Sequence, residues 1–170
     1  KEIIVCEGYL DVIMLHQAGF NNAVATLGTA LTKDHLPLLR RGEPRVILSY
    51  DGDKAGQNAA FKASVMLSQN GFDGGVVIFE NGADPADMVK DRKIEELEEL
   101  FSNPTPFANF AISYIVSSYN INNPVEKQKA LSEANEYLSS LSQLYQEEYK
   151  RFLAQKLNIK ESLIKTSSIS

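Results

Sequence analysis

Tryptophan is absent from these 170 residues, cysteine occurs once and histidine twice. The lone Cys6 cannot close an intramolecular disulfide, so the fold needs no oxidising compartment, and one Cys with two His cannot build a zinc site without carboxylates. No apolar run approaches the ~18 residues of a membrane span. The chain opens on Lys1-Glu2 and a strand-like run where a signal peptide would carry an apolar stretch. Positive charge is also short: seventeen Lys and Arg stand against twenty-two Asp and Glu, a net charge of -5. Bulk charge therefore does not grip nucleic acid, and an anionic substrate has to be met locally. These absences predict a cytoplasmic protein with no membrane partner.

What is present is the composition of an ordinary globular protein, 44% hydrophobic and 23% charged. The charge is uneven. Residues 1–101 carry ten basic and sixteen acidic side chains, and residues 102–170 carry seven and six.

Short apolar runs alternate with amphipathic stretches through the first hundred residues, the pattern of βα units on a parallel sheet. Runs at 3–6, 23–26, 45–50 and 75–79 predict four strands, with helices at 9–18, 32–40, 54–70 and 85–90 and an acidic helical segment at 94–100. From residue 102 the pattern is helical only. Thr105-Pro106 reads as a cap and first-turn proline, and Asn123-Pro124-Val125-Glu126 as a capping box. Leu131, Ala134, Leu138, Leu141 and Tyr145 recur at helical spacing, and Tyr149, Phe152, Leu153 and Leu157 continue the stripe after a break, a pattern of core packing. The expectation is an α/β domain over 1–101, a four-stranded and mostly parallel sheet flanked by helices, then a small all-α subdomain over 102–170 that frays over Lys165 to Ser170.

In an open parallel sheet, ligands bind beyond the carboxyl ends of the strands. Carboxylates follow three of the four strands. Glu7 follows the first, Asp51 and Asp53 flank Gly52 after the third, and Asp84 and Asp87 come a short turn after the fourth. Such a cluster persists when something positive binds among its members, and oxygen ligands without His or Cys suggest Mg²⁺, whose shell is completed by water and phosphate. That points to phosphoryl or nucleotidyl transfer, with Asp51 and Asp53 as primary ligands. Gly8 and Gly52 beside these acids, and Lys54 directly after them, are candidate substrate contacts. The plainer readings are a helix cap for Asp84, a solvated strand end for Glu7 and a first-turn helix acid for Asp11. Lys33, His35, Arg40, Arg41 and Arg45 form a basic segment that faces the acid or is simply a solvated face. Cys6, inside a strand, reads as inert packing.

Four blocks stand in order: Glu7-Gly8-Tyr9-Leu10-Asp11-Val12, Leu27-Gly28-Thr29-Ala30-Leu31-Thr32, Tyr50-Asp51-Gly52-Asp53-Lys54-Ala55-Gly56 and Gly82-Ala83-Asp84-Pro85. Together they resemble the TOPRIM domain of DnaG-type bacterial primases over about residues 1–101, and the helical remainder is similar in kind to the subdomain that follows it there. The resemblance implies a TOPRIM fold. It implies that Glu7 acts as acid/base or organises metal, and that Asp51, Asp53 and Asp84 surround two Mg²⁺ ions, for which Mn²⁺ substitutes. It also implies template-directed RNA primer synthesis from ribonucleoside triphosphates on single-stranded DNA, and of the basic segment Lys33, Arg40 and Arg41 are the candidate nucleic-acid contacts. A zinc domain is expected before Lys1, and a replicative-helicase-binding domain after Ser170. One departure stands out: the family reads Asp-Pro-Asp where this chain has Asp84-Pro85-Ala86-Asp87, so the role of that position is either dispensable or moved to Asp87, one residue later. On this reading the chain alone binds DNA weakly and makes little primer. A TOPRIM nuclease or topoisomerase fragment is the alternative enzyme, and a non-catalytic scaffold whose helices bind a replication partner is the alternative of another class.

Overall fold

A computed structural model describes residues 1–26, 30–80 and 84–166. Expectations placed on residues 27–29, on Gly82 and Ala83, and on the last four residues lie outside that set. In chain order the elements are β1 (Glu2–Cys6), α1 (Tyr9–Gln17), β2 (Ala23–Ala25), α2 (Leu36–Leu39), β3 (Arg45–Asp51), α3 (Lys54–Gln69), β4 (Gly74–Phe79), α4 (Pro85–Lys90), α5 (Ile94–Ser102), β5 (Thr105–Pro106), α6 (Phe107–Ser117), α7 (Pro124–Ser139) and α8 (Gln143–Leu157). Short 3₁₀ turns occupy Lys33–His35 and Glu161–Leu163.

The four expected strands are parallel neighbours in the order β2-β1-β3-β4. Their β-branched, uninterrupted sequences suit strands covered on both faces. A fifth strand, β5, pairs antiparallel with the start of β4, Pro106 opposite Gly75 and Thr105 opposite Val76. Thr105 is thus an edge-strand residue and not the cap of α6, whose cap position falls to Pro106 without a side-chain bond. Proline tolerates an edge, and Gly75 is bare because a Cβ there would run into the Thr105 carbonyl.

One face of the sheet, with Ile4, Cys6, Ile47 and Val77, packs against Leu15 of α1 and Leu97 and Phe101 of α5. The other, with Val5, Val46, Leu48 and Tyr50, packs against α2 and against Ala60, Ala63 and Leu67 of α3. A third core joins Ala111, Ile112 and Ile115 of α6 to Leu138 of α7 and Leu153 and Leu157 of α8. Phe107, at the start of α6, belongs to the sheet's core, so α6 spans both. Two polar or aromatic pairs tie the helices to α3: Tyr137 Oη lies 2.6 Å from Ser68 Oγ, and Tyr114 stacks on Phe61 with ring centres 4.5 Å apart.

The break in the helical stripe falls at Ser142, which caps α8 through the Tyr145 N–H, so Tyr145 opens α8 and does not end α7. Asn123 caps α7 as expected, accepting from Val125 N–H. Glu126, however, accepts from Asn120 N–H and not from the cap residue, so the box is not reciprocal.

Candidate active site

The strand order reverses between β1 and β3: the chain leaves β1 toward β2 on one side and continues to β4 on the other. At such a switch point the neighbouring connections diverge and open a crevice above the carboxyl ends of the strands. Glu7 and Asp51 stand there. Glu7 Oε1 accepts the Asp51 backbone N–H at 3.0 Å, so the end of β1 and the end of β3 are held together by a candidate catalytic side chain.

Asp53 is the cap of α3, its Oδ1 accepting Gly56 N–H at 2.6 Å. Asp84 caps α4 in the same way, its Oδ1 accepting Asp87 N–H at 2.7 Å. In each case one carboxylate oxygen is committed to a helix start and the other is left for a ligand, so the cap and ligand readings are compatible. Asp87 is exposed in the first turn of α4.

Asp11 is the residue the sequence reading underrated. It lies in the first turn of α1, which packs against α4. Burial, then the nearby charges of Asp84 and Asp51, push its carboxyl up to about 6. The backbone N–H of Ala86 is directed at it. A carboxylate from α1 therefore sits against the Ala86 backbone at the start of α4. The spacing Glu7 to Asp11, one helical turn, was the available signal.

The other acids feel one another as well. Burial and the charges of Asp53 and Asp84 raise Asp51 above the ordinary carboxylate range. Burial raises Glu7, helped by Asp51 and Asp53 and opposed by the Asp51 N–H bond. Carboxylates held together at such a cost fit a hard cation. Among the described residues, no three His, Cys, Asp or Glu side chains are gathered tightly enough to form a complete cage.

Gly52 serves the chain more than a ligand. Its N–H donates to the Phe79 carbonyl at 2.8 Å, and a Cβ there would lie 2.5 Å from the same oxygen. Gly8 precedes α1 in open space, where an added Cβ would meet only Asp11, at 3.9 Å. Lys54 opens α3, is exposed and has no ion-pair partner among the described residues.

The basic segment does not face the acid as a unit. Lys33 opens the turn between β2 and α2. Arg40 lies at the opposite end of the sheet, donating to the Asn70 carbonyl and stacking on Phe72 at 4.4 Å, and Arg41 follows it in the same turn. Arg45, at the start of β3, pairs with Glu2 and Asp73. The reason is α2, which carries the chain from the carboxyl ends of the strands back to their amino ends before Arg40 is reached. Neither histidine is poised for metal: His35 Nδ1 accepts Thr32 N–H, and His16 bonds the Ala23 carbonyl. Burial pushes the Cys6 thiol up to about 12, which leaves it an inert packing group.

The family model described as Toprim-like matches residues 4–89. The chain belongs to the Toprim-like family. A second model, described as the DnaB-helicase binding domain of primase, matches residues 108–162. The TOPRIM chain is 55% identical over 154 residues to a DNA primase of Helicobacter pylori, covering 91% of this chain and 28% of that protein. It is 42% identical over all 170 residues to a DNA primase of Campylobacter jejuni, again spanning 28% of its length. It thus spans under a third of either relative. Among solved structures, the Escherichia coli primase catalytic core superposes with a TM-score of 0.81 at 30% identity, over 94% of this chain and 52% of that one. A DnaG primase catalytic domain bound to single-stranded DNA gives 0.82 at 30% identity, over 95% and 53%. The likeness is to the DnaG-type primase core. The match at 108–162 also revises an expectation: a helicase-binding model falls on this chain's own helices and not solely beyond Ser170. Among the described residues, no helix is long and apolar enough to cross a membrane.

Proposed function

We propose that this chain is the metal-binding part of the catalytic core of a bacterial DNA primase, which makes short RNA primers from ribonucleoside triphosphates on a single-stranded DNA template. The observation that carries the reading is the Glu7–Asp51 bond at the β1/β3 switch point, with Asp53, Asp84 and Asp11 around it. Two Mg²⁺ ions, or Mn²⁺ in their place, held by Asp51 and Asp53 with Glu7, Asp84 and Asp87 as further ligands, would neutralise the triphosphate and polarise the phosphorus under attack.

The chain's own groups do the rest. Glu7 fixes the Asp51 backbone and offers its second oxygen to a proton from the attacking hydroxyl. Asp53 and Asp84 anchor the starts of α3 and α4, so the two helices hold the acids at a fixed separation. Lys54, on the first turn of α3 and without an ion pair among the described residues, meets the triphosphate together with the helix N-terminus. Gly8 leaves the approach above Asp11 clear. Lys33 is a candidate contact for the nucleic-acid strand, whereas Arg40 and Arg41 could touch nucleic acid only at the far end of the sheet. The segment 108–162 supports a second partner, the replicative helicase. Action on chromosomal template places the enzyme in the cytoplasm.

The test is primer synthesis by the complete primase carrying Asp51→Asn or Asp53→Asn. Both changes keep size and hydrogen-bonding capacity, and the reading expects loss of synthesis by two orders of magnitude or more. Undiminished primer yield defeats it.

A further inference from the structure

A cleft of about 370 Å³ opens on the α3 side of the acid edge, with Glu7 at its mouth. Its floor is Tyr50, and one wall is a row of small side chains on α3, Ala55, Ala59 and Ala63. At the far rim, one turn apart on the same helix, stand Asn58 and Lys62. Lys62 lies nine residues beyond the Asp53 cap, about 13 Å along the helix axis. It is exposed and makes no ion pair among the described residues. Asn58 accepts from Tyr114 Oη at 3.4 Å through its Oδ1, which leaves its amide hydrogens as donors beside Lys62.

The metal-site reading uses none of the features on this rim. A flat apolar wall suits a base or ribose, and an exposed cation that makes no ion pair among the described residues, beside an amide donor, suits one phosphate charge. A triphosphate carries more charge than this cleft can answer, and its natural place is at the acids and Lys54. We propose that the cleft seats the nucleotide bearing the attacking 3′-hydroxyl, its sugar and base against the alanine row and its 5′-phosphate on Lys62 and Asn58. The seat rests on the nucleotidyl-transfer reading above and adds to it the position of the second substrate. The 3′-hydroxyl then points toward Glu7, and the strand leaves along α3, away from the acids that would repel it.

The probe is the ribodinucleotide pApA, titrated into the chain with Mg²⁺ and followed at the amides of Ala55, Asn58, Ala59 and Lys62. Lys62→Ala should weaken pApA about fivefold, the size of one charge-assisted contact, and lower the slope of log affinity against log salt by about one. Lys62→Arg should restore both. Ala55→Leu, at an exposed wall position, should block pApA without affecting folding. Binding of Mg²⁺ with ATP should be unchanged in both Lys62 variants and lost in Asp51→Asn. Equal pApA binding by wild type and Lys62→Ala, or parallel loss of pApA and ATP, overturns the seat. Mg²⁺–ATP binding that survives in Asp51→Asn instead overturns the metal-site reading. In the complete primase, Lys62 should react with an amine label and be shielded by pApA. Shielding without nucleotide would mean that protein covers the cleft, and would also overturn the proposal.

Discussion

The Asp51 backbone N–H and the Glu7 carboxylate meet at 3.0 Å, so a single hydrogen bond both closes the end of the sheet and orients a catalytic candidate. The two roles separate by substitution. Glu7→Gln keeps a carbonyl oxygen for the N–H and removes a charge from a repelling cluster, so its stability to urea should equal or exceed that of wild type. Glu7→Ala leaves the N–H without its acceptor and should cost about 1 kcal/mol. Primer synthesis by the complete enzyme should fall about a hundredfold or more in both. Retained synthesis in Glu7→Gln would reduce Glu7 to a structural role.

Repulsion predicts an inverted stability pattern at Asp51. Its charge is raised in energy by burial and then by Asp53 and Asp84, so Asp51→Asn should melt at a higher temperature than wild type in the absence of divalent metal. Added Mg²⁺ should stabilise wild type, because a cation bound only by the folded state shifts unfolding by mass action. The variant should gain little. Calorimetry of both proteins with and without MgCl₂ checks it, and a variant that gains as much as wild type removes Asp51 from the ligand set.

Much of this was legible before any coordinates. Strands are read from period and length, and an acid that directly follows a strand falls on the sheet's edge whatever the loops do, so Glu7 meets Asp51, and Asp53 and Asp84 lie near enough to raise the Asp51 charge. Asp11 was not legible as a member because its nearness to Asp84 depends on α1 packing on α4, a contact between elements far apart in sequence. Arg40 failed for the converse reason: it follows Lys33 closely in sequence, yet α2 carries it to the other end of the sheet. Thr105 was misread as a cap because a Thr-Pro pair suits a helix start and an edge strand equally well; the ladder to Gly75 and Val76 takes the pair into the sheet, and α6 starts one residue later than expected. Lys62 carried no sequence signal, since its place on the cleft follows from the helical phase of α3 against Glu7.

The turn between β3 and α3 is sterically closed at two glycines. A Cβ on Gly56 would run into the Asp51 carbonyl and crowd Asp53 Oδ1, and one on Gly52 would meet the Phe79 carbonyl. Both obstacles are backbone, which cannot swing aside as a side chain can. Gly52→Ala and Gly56→Ala should each cost about 2 kcal/mol or more, read from urea midpoints, although alanine is the better helix former at 56. A Gly56→Ala protein as stable as wild type would mean that the end of β3 yields, and with it the placement of Asp51.

The contact between Ser68 and Tyr137 gives the helical part a pH signature far from the acids. Burial pushes the Tyr137 hydroxyl from its ordinary 10 up to about 12, with the Ser68 bond working weakly the other way. A proton held more tightly in the folded state stabilises it fully below pH 10, and that stability drains away as pH rises from 10 to 12. The loss amounts to about 2 kcal/mol. Tyr137→Phe has no such proton, so its stability should fall less over that window. At neutral pH the substitution should cost less than about 1 kcal/mol, because Ser68 Oγ retains the carbonyls of Ser64 and Val65 as partners. Urea unfolding at pH 8 and pH 11 distinguishes the two proteins. Parallel losses would show that the hydroxyl is hydrated in the folded state and that the seam between α3 and α7 is open to water.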